Sequence, residues 1–172
     1  MKILKPGGRA GLVLPDGTLF GEGVKTRIKE ELLRECNLHT IVRLPNGVFN
    51  PYTGIRTNLL FFTKGQPTTE VWYYEHPYPP GAKSYNKGKP IRIEEFEPER
   101  AWWDNRVENE QAWRVSIETI KAGNFNLDLK NPHRSDEGPG DVDHLLPEYE
   151  KLLGKIADTR AALKKELHQA LT

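Results

Sequence analysis

The sequence predicts an α/β fold in which a small mixed β-sheet is flanked by helices and followed by a C-terminal helical extension. Three observations lead to this class. Short apolar runs bounded by turn residues recur along the first half of the chain, as buried strands do. An amphipathic segment, residues 24–35, separates the first two runs. Residues 142–172 carry an apolar repeat of about seven residues, which is typical of a long helix that packs against another helix.

The first strand is predicted at residues 11–14, a continuous apolar run between Pro-Gly-Gly and Pro-Asp-Gly. Such a run indicates a strand that is buried on both faces. Residues 24–35 predict an amphipathic helix, because charged residues fill one face and an apolar series recurs at every fourth position (Val24, Ile28, Leu32 and then Cys36). Residues 38–44 predict the next strand, which completes a βαβ unit with a right-handed crossover.

A third strand is predicted at residues 57–64, whose centre is strongly apolar. Only a loop joins it to the preceding strand, so the two are expected to be antiparallel and either paired or near neighbours. Residues 70–76 alternate charged and aromatic side chains, which predicts a fourth, more exposed strand.

The middle of the chain predicts less regular structure. Residues 77–91 are rich in Pro, Gly, Lys and Tyr and are interpreted as an irregular excursion. A short helix is predicted over residues 93–103, a short strand over 113–117, and a helical turn over 118–122 that Gly123 caps. We interpret the tryptophans of this region as local core residues (Trp102, Trp103 and Trp113).

The end of the chain predicts a polar Gly/Pro linker over residues 134–143 and then a long helix. The apolar stripe of this helix requires a partner surface. The pattern leaves two alternatives open, namely packing on its own domain or contact with a helix of another chain. We therefore divide the chain into an α/β part at 1–76, an irregular α+β extension at 77–133, and the linker with its helix at 134–172.

Composition narrows the function classes. The 172 residues contain 25 Lys and Arg against 24 Asp and Glu, a formal net charge of +1 that excludes a simple polycationic nucleic-acid binder but allows a local basic patch. The single cysteine, Cys36, excludes an internal disulfide and a cysteine-rich zinc site, and we interpret it as a small buried apolar residue. The five histidines form no metal-binding pair, so no metal is expected. A lone thiol and the lack of a long apolar run favour a cytoplasmic protein without a membrane span.

The segment between the second and third predicted strands, residues 45–56, carries most of the functional information. In α/β proteins the loops at strand ends often contact ligands. Phe49 and Tyr52 stand among turn residues, and such rings can stack on a planar base, worth roughly 1–3 kcal/mol per base. Arg43 and Arg56 bracket the segment and are suited to phosphates. These residues alone leave open the alternative that the rings fasten the loop to the core.

Two long motifs resemble the modification subunits of type I restriction-modification systems, which are N6-adenine DNA methyltransferases that use S-adenosylmethionine. The first motif is KPGGRAGLVLPDGTLF at residues 5–20, and the second is GVFNPYTGIRTNLLFFTK at residues 47–64. The predicted helix and strand between them stand in the family's order. Residues 125–128 (FNLD) and the terminal helix also resemble the family's C-terminal part.

The resemblance implies a partial S-adenosylmethionine-dependent methyltransferase sheet of Rossmann-like type, consisting of strands five to seven with flanking helices and the C-terminal extension. Residues 1–76 would be the C-terminal part of that domain. The family's glycine-rich cofactor loop and its catalytic (Asn/Asp)-Pro-Pro-(Tyr/Phe) motif have no counterpart here. Asn50-Pro51-Tyr52 lacks the second proline and lies two strands too late. We therefore expect a C-terminal fragment with no catalytic, cofactor-binding or metal residue of its own.

By the same resemblance, Phe49 is expected to stack on a flipped-out target adenine, because the amine is otherwise inaccessible in the duplex. Tyr52 is expected to contact a neighbouring base or the backbone. Arg43, Asn46 and Arg56 are weaker candidates for contacts with DNA. For Arg56 the alternative is a salt bridge at the strand edge.

Two functions of different classes follow from the resemblance. In the first, the chain belongs to an N6-adenine methyltransferase subunit that works with specificity and restriction subunits on DNA, and it neither methylates nor binds cofactor alone. In the second, it is a non-enzymatic interaction or regulatory module that binds specificity subunits or itself. Because the family's fourth strand has no counterpart, residues 11–14 should form a sheet edge. We therefore expect a homo-oligomer through that edge or the terminal helix.

Overall fold

The computed structural model describes residues 3–82, 84–134 and 142–170. Its strands form one five-stranded sheet in the order β1-β3-β2-β4-β5, where the strands are β1 (Arg9–Pro15), β2 (Cys36–Arg43), β3 (Thr57–Lys64), β4 (Glu70–Glu75) and β5 (Ala112–Ser116). The helices are α1 (Asp16–Leu19), α2 (Val24–Glu35), α3 (Glu97–Trp103), α4 (Ile117–Ala122) and α5 (Val142–Ala170), with a 3-10 turn at Ile93–Phe96. The chain divides into two compact units, Met1–Arg134 and Ser135–Thr172. The predicted mixed sheet with flanking helices is confirmed.

β3 lies between β1 and β2 and pairs with both in the antiparallel sense. The antiparallel pairing predicted for the loop-connected strands is therefore confirmed. β1 and β2 run parallel to each other but are separated by β3, so α2 crosses over one intervening strand.

The prediction that the first strand is buried on both faces is wrong. β1 is the outer strand of the sheet, and Leu12 and Val13 are 43% and 55% exposed. A continuous apolar run indicates two apolar faces, but burial also requires a neighbouring element over each face. The expected sheet-edge position of this strand is observed.

α2 has the predicted bounds, but its buried face differs from the predicted stripe. Val24 and Ile28 are exposed, whereas Lys29, Leu32 and Leu33 are buried. Lys29 Nζ donates hydrogen bonds to the carbonyl oxygens of the α1 region, at 2.6 Å to Leu19 and 3.0 Å to Gly21. A charged residue can occupy the buried face because these carbonyls satisfy its ammonium group.

The prediction that the fourth strand is more exposed is also wrong. β4 lies inside the sheet, parallel to β2 on one side and antiparallel to β5 on the other. Val71, Tyr73 and Tyr74 are buried. The alternation of charged and aromatic residues along β4 resembles the pattern of a surface strand. The elements that bury β4 are distant from it in sequence.

Two apolar clusters cover the two faces of the sheet. Adjacent strand residues point to opposite faces, so Tyr73 belongs to one cluster and Tyr74 to the other. Tyr73 stacks on Trp113, with 5.2 Å between ring centroids, and Tyr74 contacts Trp102. Trp103 packs edge-on against Phe61 in the second cluster. Trp102 and Trp113 are buried core residues as predicted, whereas Trp103 is only partly buried. Cys36 is fully buried, as predicted.

The second unit contains the long helix α5. The apolar side chains described along it are 46% to 61% exposed (Leu146, Tyr149, Leu152, Leu153, Ile156 and Leu163). Most of the predicted linker before it, residues 135–141, lies outside the described residues. None of the helices in the described part of the chain has the length and apolarity that membrane crossing requires.

Candidate functional site

The loop from residue 45 to 56 is a closed, internally hydrogen-bonded structure between β2 and β3. At its base, the Leu44 N–H donates to the Thr57 carbonyl at 3.0 Å. At its tip, the N–H groups of Tyr52 and Thr53 both donate to the Phe49 carbonyl, at 2.9 and 3.1 Å. The backbone at Phe49 is therefore fixed by the loop itself.

Residues 77–91 brace this loop from outside. The Asn50 Nδ2 group donates to the Tyr85 carbonyl at 3.1 Å, and the Tyr78 hydroxyl donates to the Asn46 carbonyl at 3.0 Å. Tyr85 is buried, and its ring lies 5.5 Å from that of Tyr78 between centroids. Burial and a hydrogen bond to Glu95 raise the pKa of Tyr85, so its hydroxyl stays protonated as a donor.

Gly47 allows the loop and its brace to approach closely. Its φ of +80° lies in the region that glycine adopts without strain. A β-carbon at this position would lie 2.7 Å from Asn50 Nδ2 and 3.0 Å from the Tyr85 carbonyl oxygen.

The two predicted stacking residues lie on the solvent side of this loop. Phe49 is 39% exposed and Tyr52 is 91% exposed. The neighbouring Val48, rather than Phe49, packs against the core. The exposure of both rings therefore argues against the alternative in which they pack into the core and hold the loop there.

Arg43 lies apart from these rings. It is buried, forms an ion pair with Asp128, and donates through Nη1 to the Leu129 carbonyl at 2.7 Å. These partners favour a structural role for Arg43 over the predicted contact with DNA. Arg56 is half-buried and donates through Nε to Asn46 Oδ1 at 3.4 Å.

A cavity of about 290 Å³ adjoins the base of the loop and brings together Arg43, Asn46 and Arg56, but neither Phe49 nor Tyr52. Sequence reasoning missed the residues that line it from other segments (His76, Tyr78, His133 and Arg134). His76 forms a buried contact between Nδ1 and Glu99 and stacks on Phe96. The position of His76 at the end of a predicted strand was the signal that could have indicated it.

Asn50 and Asn131, the two asparagines that precede a proline as in the family's catalytic motif, have structural partners. The Asn50 side chain braces the loop, and Asn131 Nδ2 donates to the Glu110 carbonyl at 2.8 Å and to Glu75 at 3.3 Å. Within the described ranges, no cluster of His, Cys, Asp or Glu is arranged to hold a metal ion.

The cavity beside β1 does not fit S-adenosylmethionine. This cavity, of about 390 Å³, lies between β1 and α2, but its lining is apolar apart from Thr18 and Lys29. It therefore lacks the carboxylate that commonly binds ribose hydroxyls in nucleoside sites. β1 passes directly into α1, and the glycines Gly21 and Gly23 follow only after that helix, before α2.

Comparison with known proteins assigns the family. The family model described as N-6 DNA Methylase matches residues 1–138. The chain is 58% identical to the type I restriction enzyme EcoEI methylase subunit of Escherichia coli, over 99% of this chain and 36% of that protein. The chain thus spans about a third of the length of this relative.

Solved structures give the same assignment. A chain from a type I R-M system, solved in work on its complex assembly and conformational transition, has a TM-score of 0.73 at 37% identity and covers 94% of this chain and 37% of its own length. The M protein of the type I restriction enzyme EcoKI has a TM-score of 0.65 at 29% identity, over 94% of this chain and 41% of that one. The chain belongs to the N-6 DNA methylase family, and the relatives it matches there are methylase subunits of type I restriction enzymes.

Proposed function

We propose that this chain supplies the target-adenine stacking surface of a type I N6-adenine DNA methyltransferase. The observation that carries the proposal is Phe49, an exposed aromatic ring on a loop whose backbone is fixed by hydrogen bonds. A base rotated out of the duplex loses its stacking neighbours, and an aromatic face replaces them. Tyr52, more exposed on the same loop, contacts a neighbouring base or the backbone.

The strand arrangement supports this assignment. β1, β2 and β3 correspond to the fifth, sixth and seventh strands of the methyltransferase sheet, with the last strand inserted antiparallel between the other two. The stacking loop then follows the sixth strand. Asn46 and Arg56, which lie at the base of that loop, contact DNA, whereas Arg43 holds the end of β2 against Asp128.

S-adenosylmethionine supplies the methyl group in the intact family enzyme. We expect the chain alone neither to bind this cofactor nor to transfer methyl groups, because its sequence has no counterpart of the family's glycine-rich cofactor loop or of its catalytic motif. Calorimetric titration of the chain with S-adenosylmethionine tests this point, and micromolar binding would contradict it.

The stacking role is tested by the affinity of the chain for a fluorescein-labelled single-stranded oligonucleotide containing adenine. Phe49→Ala should weaken binding by about 5- to 150-fold, the loss expected for one stacked base. Phe20→Ala is the matched control, because Phe20 is also exposed (53%) but lies at the end of α1. Equal affinities of the Phe49→Ala variant and the unsubstituted chain would overturn the proposal.

A second function, a protein-interaction module, is favoured by α5. Its exposed apolar side chains form a stripe suited to a helix of a specificity subunit, in the assembly that also contains the restriction subunit. A pull-down of a specificity subunit by the chain tests this function, with Leu152→Glu expected to abolish capture. Capture that is unaffected by this substitution would argue against docking through α5.

A further inference from the structure

The cavity at the base of the loop lies where the sheet topology predicts a ligand crevice. β2 and β4 are parallel neighbours that end side by side, with Arg43 opposite Glu75. After β2 the chain turns to β3 on one side, and after β4 it proceeds to β5 on the other side. Connections that leave in opposite directions open a crevice at the carboxyl ends of the strands, which is where ligands bind in open α/β sheets.

The cavity of about 290 Å³ occupies that crevice. The segments after β2 and β4 contribute Asn46 and Tyr78, the segment before β3 contributes Arg56, and the end of the first unit contributes His133 and Arg134. Cationic and hydrogen-bonding groups thus converge on it from several distant parts of the chain.

Two of its lining residues hold buried nitrogen atoms that have no hydrogen-bond partner, Arg43 Nε and His76 Nε2. Most buried polar atoms in proteins have a partner. Arg43 Nε can only donate and therefore lacks an acceptor, whereas His76 Nε2 donates or accepts according to which ring nitrogen carries the proton. The cavity lining also contains two carboxylates. Glu75 is engaged by Arg134 at 3.1 Å and by Asn131 at 3.3 Å, and Glu110 is exposed.

We infer that this cavity binds a phosphate group of a nucleotide, and that in DNA it holds a backbone phosphate of the strand whose base stacks on Phe49. The inference rests on the proposed function, because one loop carries Phe49 at its tip and Asn46 and Arg56 at the cavity. Guanidinium groups are suited to phosphate through paired N–H donors. A strand that lays a base on Phe49 therefore runs its backbone along the cavity.

The salt dependence of oligonucleotide binding tests the inference. For a single strand, the slope of log K against log salt changes by about 0.7 for each phosphate contact. Arg56→Gln and Arg134→Gln, which border the cavity from different segments of the chain, should each lower the slope by about 0.7. Arg100→Gln is the matched control, because Arg100 is similarly exposed (67% against 72%) and pairs with a glutamate at 3.0 Å, as Arg134 does at 3.1 Å.

Slopes of both cavity variants equal to that of the control would overturn the inference. The Phe49→Ala variant separates this inference from the proposed function. It should lower affinity without changing the slope. If Phe49→Ala has no effect while the arginine variants lower the slope, the stacking role fails and the phosphate site stands.

A second measurement distinguishes the sources of the phosphate. Nuclear magnetic resonance can follow the ring signals of His76 and His133 during titrations with deoxyadenosine, deoxyadenosine 5′-monophosphate and an adenine-containing oligonucleotide at constant ionic strength. Shifts with the monophosphate but not the nucleoside support a site open to free nucleotides. Shifts with the oligonucleotide alone support a site for the strand. No shift with either phosphate-bearing ligand would overturn the inference.

Discussion

The side-chain amide of Asn50 donates a hydrogen bond of 3.1 Å to the carbonyl oxygen of Tyr85, 35 residues further along the chain. This contact joins the loop between β2 and β3 to the irregular segment after β4. It makes Asn50 a structural residue, although Asn50-Pro51-Tyr52 looks like a shortened catalytic motif. The excursion over residues 77–91 therefore positions the loop that carries Phe49.

Gly47→Ala should destabilise the chain, because the added methyl group would meet both partners of that hydrogen bond. We expect a loss of about 2–3 kcal/mol in unfolding free energy, of which about 1 kcal/mol comes from the left-handed backbone. Gly81→Ala is a matched control, with a φ of +79° and no atom within 4 Å of the added carbon. Chemical denaturation measures both variants, and equal losses would show that the contact with the brace is unimportant.

Glu99→Ala should destabilise the chain strongly, because it leaves the buried His76 ring without its partner. Side-chain exposures are 1% for His76 and 5% for Glu99. Leaving a buried hydrogen-bonding group without its partner costs about 1–3 kcal/mol, and more where the pair is charged. Glu97→Ala removes an exposed ion pair with Arg100 on the same helix and should change stability by less than about 1 kcal/mol. Similar thermal unfolding of the two variants would contradict the structural role of Glu99.

The stability of the chain should fall as the pH falls below the usual pKa of histidine, in part because of His39. Burial and the charge of Arg106 hold the pKa of His39 below its ordinary value of 6.5. In the pH range just below 6.5 the unfolded chain therefore binds this proton more readily, and acidification favours unfolding. His39→Gln should make the dependence of stability on pH shallower in that range. An unchanged pH profile in the variant would contradict the assignment.

The outer edge of β1 should support association between copies of the chain. Among the described residues, β1 pairs only with β3, and Val13 on it is 55% exposed. Unpaired apolar edges tend to pair with other strands. Light scattering should give a mass above the 19.7 kDa of one chain, and Val13→Lys should lower it. Val24→Lys, on the exposed face of α2, is the control. A monomer at high concentration would contradict association through this edge.

The local elements were predictable because their signals lie within the elements themselves. The amphipathic pattern of α2 and the apolar run of β3 between turn residues gave both elements their observed bounds. Burial was less predictable. β4 has the pattern of a surface strand, yet it is buried by β2, β5 and Trp102, which are brought to it only by the tertiary fold.

The candidate site was predictable in part for the same reason. Phe49, Tyr52, Asn46 and Arg56 lie on one loop, so a local pattern combined with a family resemblance was sufficient to select them. The burial of Arg43 depends on Asp128, which is 85 residues away. The cavity depends on parallel pairing of β2 with β4, and no local signal in either strand predicts that pairing.

The fluorescence of 2-aminopurine tests the central claim most directly. The emission of this adenine analogue, placed in a single-stranded oligonucleotide, changes when its stacking partner changes. Titration with the unsubstituted chain should change the emission, Phe49→Trp should retain a change, and Phe49→Ala should abolish it while Phe20→Ala leaves it intact. An equal change in emission with the Phe49→Ala variant and the unsubstituted chain would contradict the assignment of Phe49 as the platform for the target base.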